Sequence, residues 1–461
     1  MKQLSCDVAI IGAGSAGLAA RRAAAKAGAR TLLIEAGPGG TTCARVGCMP
    51  SKLLLAAARA ARDMRDAPRF GVGRRAEIWV DGPKVMARVR RERDHFVAAV
   101  LKDVAAIPAR EKLAGHARFD GPGSLVVDDH SRIDSRAIVI ATGARPRVPA
   151  SLSEACGERV LTHETVFDLP TLPGSLAVIG AGPLGLELAI AFARLGVRVT
   201  LFDEGETIGA IADPVVHEAA RAVLGRELAM RLGVEVQARR IGDGQVRVSW
   251  RKGQGRPTSA SFDYVLSAAG RPPSLDGLDL NMSGLATDDR GVPEFDLATM
   301  RCGDGAVFIA GDADAARPVL HEAASQGELA GSNAARYPRI ERRPPATNLA
   351  VAYTDPDIAM VGAGYDPEKA KGWAIGCSAD NGRARVDGRD PGVLRVYARK
   401  QDGVIVGGEL FGPAVEHLAQ MLTWIAQLEM TAEKALALPF YHPTMEESLR
   451  AALRDLASQP S

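Results

Sequence analysis

Two cysteines are the residues of this chain best placed for chemistry. They lie in Gly40-Thr41-Thr42-Cys43-Ala44-Arg45-Val46-Gly47-Cys48-Met49-Pro50-Ser51-Lys52, with four residues between them. On an ideal helix, positions i and i+5 are about 7.5 Å apart along the axis and roughly 140° apart around it. Their Cα atoms are then about 8 to 9 Å apart, beyond disulfide reach. If the two bond, the backbone is irregular there, which Gly47 and Pro50 allow. A bridge closing so small a loop gains little entropic stabilisation. The functional reading is a disulfide built to open and close. The competing readings are two buried thiols or half of a zinc site. Zinc takes four ligands, usually in closer pairs, and no partner Cys/His pair appears elsewhere in the chain, so no metal is expected.

The elements around the pair point to nucleotides. Cys6 to Ile11 reads as a strand, followed by Gly12-Ala13-Gly14-Ser15-Ala16-Gly17, an Ala-rich helix to Gly28, and a second strand ending in Glu35. Gly12 permits a tight turn, Gly14 lets backbone approach a pyrophosphate, and Gly17 lets helix and strand pack closely. The helix N-terminus favours phosphate charge, and Glu35 is placed to accept from ribose hydroxyls. A second copy follows: a strand from Leu176 to Ile179, then Gly180-Ala181-Gly182-Pro183-Leu184-Gly185, a helix, and a strand ending at Asp203. Asp203 suits the free 2′-hydroxyl of NAD, and Glu204 and Glu206 would repel a 2′-phosphate. Two nucleotide folds and a redox pair suggest FAD in the first fold, NAD in the second, and a dithiol in series with them.

The chain has 461 residues, 46% hydrophobic and 24% charged, with net charge +2. That length suits two to four domains. The near-zero charge implies no nucleic-acid or membrane-surface field. Asp7 interrupts the first apolar run, so the start does not read as a signal peptide, and no uncharged stretch reaches transmembrane length. The other cysteines, Cys6, Cys156, Cys302 and Cys377, stand singly and read as ordinary thiols. Six cysteines in a long chain without a secretory signal point to a reducing, cytoplasmic compartment, where a disulfide is usually catalytic or redox-sensing.

Taken together, the sequence resembles the class I pyridine nucleotide–disulfide oxidoreductases along nearly its whole length. Ile138-Val139-Ile140-Ala141-Thr142-Gly143 resembles the crossover leaving the FAD domain, and Ala268-Ala269-Gly270-Arg271-Pro272-Pro273 the return. Val307-Phe308-Ile309-Ala310-Gly311-Asp312 resembles the second FAD motif, and the segment with His321 resembles the one passing beneath the isoalloxazine. The resemblance implies that Cys48 faces the flavin and Cys43 meets substrate. It implies FAD contacts at Ser15, Ala16, Thr42, Ala141, Thr142, Gly143, Gly311, Asp312 and His321. It implies NAD contacts at Pro183, Leu184, Glu187 and Gly270. Lys52 and Glu187 match an ion pair near flavin N5. His442 matches the catalytic base and Glu447 the carboxylate that orients it. In the family that pair reaches into the partner subunit's site, which implies a homodimer.

The implied fold is α/β: two Rossmann-like, doubly wound domains plus a C-terminal α+β dimerisation domain. The implied layout is an FAD-binding domain over residues 1–147, an NAD-binding domain over 148–273, a return segment of the FAD and central domain over 274–343, and the interface domain over 344–461. Strands near Gly392 to Glu409 and helices through Gln427 are expected in the last part. Pro50-Ser51-Lys52 and Asp203 resemble the dihydrolipoyl dehydrogenases more than the NADPH-linked glutathione reductases. Cys377 is the last cysteine, and the tail Leu456-Ala457-Ser458-Gln459-Pro460-Ser461 carries no mercury-binding pair. The implied reaction is oxidation of dihydrolipoamide with NAD, with a lipoyl domain of a 2-oxo acid dehydrogenase complex as a candidate partner. The alternatives are a glutathione reductase-like enzyme, an NADH diaphorase or oxidase, and a non-enzymatic redox-sensing flavoprotein. The sequence departs from the family at Thr41, where Gly is usual, and at Phe440, where dihydrolipoyl dehydrogenases often carry a second His; Tyr441 lies between Phe440 and the base.

Overall fold

The computed structural model describes residues 1–73, 78–242 and 244–459, so Pro460 and Ser461 of the tail lie outside the described residues. The chain forms two compact units. One comprises Met1–Pro50, Arg90–Pro146 and Arg271–Pro345; the other comprises Ser51–Val89, Arg147–Gly270 and Ala346–Ser461.

The first unit is built on a sheet ordered Phe295–Asp296, Arg301–Cys302, Val307–Ile309, Ser131–Ile140, Lys2–Ile11, Thr31–Glu35, Lys112–Ala114. The strand Lys2–Ile11 lies between two parallel partners, Thr31–Glu35 and Ser131–Ile140. Val8, Ala9 and Ile10 are fully buried, the expected condition of an inner strand covered on both faces. The strand starts four residues before the apolar run because Lys2 to Ser5 still pair with Ser131 to Asp134. Helix Ser15–Lys26 packs on helix Leu320–Arg336 through glycines spaced by four. A Cβ on Gly327 would stand 2.2 Å from the Ala16 carbonyl oxygen, and one on Gly331 would stand 2.1 Å from that of Ala20.

The second unit contains a five-stranded parallel sheet ordered Ala229–Leu232, Arg198–Asp203, Ser175–Ile179, Tyr264–Ser267, Val160–Leu161. An antiparallel sheet of Glu235–Ile241, Gln245–Arg251 and Thr258–Phe262 lies against it, its Phe262 ring edge-on to Phe202. The C-terminal part holds a five-stranded antiparallel sheet. Val393–Arg399 and Ile405–Gly412 form two of its strands, and helix Val415–Gln427 covers it. The sequence reading did not anticipate the other three, Leu349–Ala352, Asp357–Gly362 and Trp373–Ser378, whose apolar runs are short and broken by turn residues. No helix among the described residues is long and apolar enough to cross a membrane.

The unit is laced by a buried polar network. Asp213 caps helix Pro214–Leu224 through Val215 N and also accepts from Tyr397 Oη and Arg395 Nε. Glu409, 1% exposed, accepts from the amides of Ala212, Asp213 and Tyr365.

Candidate active site

The first glycine turn separates packing glycines from a ligand-facing one. Gly12 has φ +103°, and a Cβ there would lie 2.4 Å from the Ala141 carbonyl oxygen. A Cβ on Gly17 would lie 1.8 Å from the Gly12 carbonyl oxygen, whereas Gly14 has nothing within 4 Å of its Cβ position. Space is left where backbone amides open helix Ser15–Lys26, with Ser15 its first residue. Glu35 does more than wait for a ribose: its carboxylate accepts from Ala13 N at 2.6 Å and Gly37 N at 2.7 Å, holding the turn.

The second turn repeats this geometry. A Cβ on Gly180 (φ +114°) would lie 2.3 Å from Ala268 O, and one on Gly185 would lie 2.0 Å from Gly180 O, while Gly182 is open. Asp203 accepts from Ala181 N and Gly205 N, both at 2.6 Å. Pro183, with no N–H to leave unpaired, and then Leu184 open helix Pro183–Arg194. Gly270 has φ +107° and open space at its Cβ position.

Beside the first turn, Gly143 has φ +69° and open space. Gly311 donates to Gln326 Oε1 at 2.8 Å, and Asp312 accepts from Arg271 Nη2 at 2.6 Å. Thr142 Oγ1, Gln326 Nε2 and Arg271 Nε are buried and, among the described residues, have no hydrogen-bond partner. Orphaned polar atoms beside the C-terminal ends of parallel strands are what a bound dinucleotide would satisfy. His321 is exposed in the first turn of helix Leu320–Arg336.

The cysteine segment is two helices, not one. Cys43 lies in the short helix Thr42–Arg45, and Cys48 opens helix Cys48–Asp66. Gly47 sits in the break, where a Cβ would stand 3.0 Å from Thr42 O and 3.3 Å from the Cys43 Cα. The irregular backbone that a Cys43–Cys48 bond needs is therefore present. Cys43 is half-buried and Cys48 exposed. Thr41, which stands where the family usually has glycine, has φ +57° and caps the short helix through Ala44 N.

Lys52 follows Cys48 by one helical turn. Its Nζ donates to both oxygens of Glu187, at 2.9 and 2.8 Å, and lies 4.3 Å from the centre of the Tyr353 ring. Tyr353 N also donates to Glu187 at 2.9 Å. Burial pushes the Glu187 carboxyl above its usual range, and the Lys52 ammonium opposes that shift.

His442 Nδ1 stands 3.1 and 3.0 Å from the two oxygens of Glu447, which also accepts from Thr444 N. The imidazole hydrogen bond holds the Glu447 carboxyl below its usual range. With Nδ1 engaged by a carboxylate, Nε2 is the nitrogen left to exchange a proton. Phe440 packs against the C-terminal core, beneath the Arg450 guanidinium, while Tyr441 is 82% exposed.

Residues 6–327 match the family described as pyridine nucleotide-disulphide oxidoreductase, and residues 349–453 match its dimerisation domain. The chain belongs to this family. It is 30% identical to dihydrolipoyl dehydrogenase 3 of Pseudomonas aeruginosa over 98% of both chains, and 31% identical to dihydrolipoyl dehydrogenase of Bacillus subtilis over 97% of both. Its fold is similar to that of LpdA from Mycobacterium tuberculosis (TM-score 0.82, 23% identity, covering 99% of this chain and 100% of that one). It is equally similar to the HOCl-induced flavoprotein disulfide reductase RclA of Escherichia coli in its Cu(II) complex (TM-score 0.82, 22% identity, covering 98% and 99%). As a pyridine nucleotide-disulphide oxidoreductase the protein is an enzyme that uses FAD and NAD(H), and the open glycines and orphaned polar atoms fit that requirement. Two features of this family member escaped the sequence reading. The Gly327-x-x-x-Gly331 spacing was visible in the sequence and signals close helix contact; Tyr353 had no local signal, because its partners are 301 and 166 positions away.

Proposed function

We propose that the protein is a dihydrolipoyl dehydrogenase working as a cytoplasmic homodimer, in which His442 and Glu447 of one protomer serve Cys43 and Cys48 of the other. The observation that carries this reading is the imidazole of His442, held at Nδ1 by Glu447 while the side chain stays 79% exposed. A protein that only sensed redox state would need no such base. His442 takes a proton from one thiol of dihydrolipoamide. The resulting thiolate attacks Cys43 Sγ of a Cys43–Cys48 disulfide, forming a mixed disulfide and releasing Cys48 as thiolate. The second substrate thiol, deprotonated in turn, attacks the substrate sulfur of the mixed disulfide. Lipoamide leaves oxidised by two electrons, and the cysteine pair is reduced by two. Bound FAD supplies the two-electron chemistry that links the reduced pair to NAD+. Gly14 and Gly182 provide the openings for the two pyrophosphates, and Asp203 selects NAD. A lipoyl domain is the macromolecular form of substrate that this reading anticipates.

The test is turnover by the purified flavoprotein of dihydrolipoamide with NAD+, against glutathione disulfide with NADH or NADPH. Fast, NAD-specific oxidation of dihydrolipoamide supports the assignment, and His442→Gln should lower it by about 10²- to 10⁴-fold. A second reading, reduction of a different small disulfide, is favoured by Phe440. Packed under Arg450, it puts an apolar ring where dihydrolipoyl dehydrogenases often carry a second His. Slow dihydrolipoamide turnover with rapid use of another disulfide would select it.

A further inference from the structure

Arg45 is the one charged residue between the two cysteines. It ends the short helix Thr42–Arg45 that carries Cys43, and the disulfide exchange described above gives it no part. Its side chain does not run out to solvent. It is half-buried and turns back along the chain, where Nε donates to Gly39 O at 3.0 Å and Nη2 to Pro38 O at 3.5 Å. One planar fork thus spans two successive carbonyls.

Those carbonyls belong to the connector between strand Thr31–Glu35 and the cysteine segment. The connector is intrinsically loose. Gly37, Gly39 and Gly40 follow closely on one another, and Gly39 and Gly40 have φ +67° and +86°. Glycine loses more conformational freedom on ordering than any other residue. At its start the connector is held by Glu35, which accepts from Gly37 N at 2.7 Å. Further along it is held by Arg45. A Cβ on Gly40 would stand 3.0 Å from Arg45 Nη2 and 2.9 Å from Val97 Cγ1, so connector, guanidinium and helix Gly82–Ala105 close on one another at that point.

We infer that Arg45 is a positioning residue of the redox pair: its fork fastens the Cys43 helix to the Pro38–Gly39 turn and so holds the Cys43 thiol ready for Cys48 when the bridge between them is open. The reduced pair is then a preorganised dithiol, in which each thiol meets a high effective concentration of the other. Fork and bridge restrict the same segment, so each favours formation of the other by the same factor. This role rests on the Cys43–Cys48 exchange proposed above, whichever dithiol is the substrate. The charge of Arg45 acts in the opposite sense. A cation beside the pair favours thiolates and hence the reduced form. Loss of the charge would stabilise the bridge, whereas loss of the fork weakens it, so the sign of the shift separates the two.

The experiment is the thiol–disulfide equilibrium of the full-length flavoprotein in anaerobic dithiothreitol buffers near neutral pH. Bridged and free Cys43 and Cys48 are counted by alkylation and mass spectrometry. Two electrons and two protons pass from the cysteine pair to the cyclic disulfide of oxidised dithiothreitol, which leaves as the dithiol. Arg45→Met should lower the equilibrium constant for bridge formation about tenfold, a shift of about 30 mV toward easier reduction. Arg45→Lys keeps the charge but not the fork and should recover only part of that loss. Arg21→Met, which breaks the ion pair to Glu111 in the same unit, should lower the melting temperature and leave the equilibrium unchanged. An unchanged constant or a more stable bridge in Arg45→Met, complete recovery by Arg45→Lys, or an equal shift in Arg21→Met would each overturn the role of the fork. Absence of any bridge in the parent would overturn the proposed pair itself, and the role of Arg45 with it.

Discussion

Lys52 and Glu187, 135 positions apart, meet as a two-pronged ion pair in which one ammonium faces both carboxylate oxygens. Glu187 is 4% exposed, so loss of its partner leaves a buried charge. Lys52→Met should destabilise the second unit by about 2 kcal/mol, on the low side because the Lys52 side chain is 35% exposed and partly screened. Lys52→Met/Glu187→Met should recover most of that loss in denaturant unfolding. An additive double variant would show that the pair is not coupled.

The cysteines should divide their labour. Cys48→Ser should abolish dithiol turnover while flavin stays bound. Cys43→Ser should also abolish turnover, but leave Cys48 able to give the long-wavelength absorption of a thiolate beside flavin. Substantial lipoamide reduction by either variant would contradict the proposed exchange.

Helix contact through Gly331 has no slack. Gly331→Ala places a methyl 2.1 Å from the Ala20 carbonyl oxygen, so the helices must separate, at about 1–3 kcal/mol. Gly305→Ala, with nothing within 4 Å and no left-handed φ, should change the melting temperature little. In the proposed reading the first helix presents its amides to the FAD phosphates, so Gly331→Ala should also release flavin more readily.

Thr41 holds a left-handed φ, which a β-branched residue adopts at a cost, and also supplies a cap. Thr41→Val keeps the strain and loses the cap, so it should destabilise the protein by about 1 kcal/mol. Thr41→Gly removes the strain and should be nearly neutral in thermal unfolding.

A pH dependence follows from Asp357, which is 3% exposed; burial and its hydrogen bond with Glu416 push its carboxyl up to about 8. An unfolded Asp ionises near ~3.9. Between about 4 and 8 the folded chain therefore binds this proton and the unfolded chain does not, so stability falls as pH rises through that window. Asp357→Asn cannot ionise and keeps the oxygen that accepts from Asp355 N. It should flatten the stability–pH curve there; an unchanged slope would remove Asp357 as its source.

Much of the site was legible because its signals are local. Each glycine turn lies within one strand–turn–helix unit, and the acid that ends the next strand is 23 positions from the first glycine in both. Gly47 beside Cys48 announced the broken helix, since a Cβ there would crowd the Thr42 carbonyl oxygen at 3.0 Å. Lys52 with Glu187 and His442 with Glu447 were grouped by resemblance to a family, and the fold brings each pair within hydrogen-bonding distance. The strands Leu349–Ala352, Asp357–Gly362 and Trp373–Ser378 stayed hidden, because their pairing partners, not their own periodicity, make them strands.

Residue types and short spacings thus pointed to the α/β class, the cofactor motifs and the cysteine pair, since turn sterics and helix ends act over a few residues. Folding alone produced the ring of Tyr353 over Lys52 and the carboxylates of Glu35 and Asp203 turned back onto their own glycine turns. Packing brings together groups tens to hundreds of positions apart, and no local pattern encodes which of them will meet.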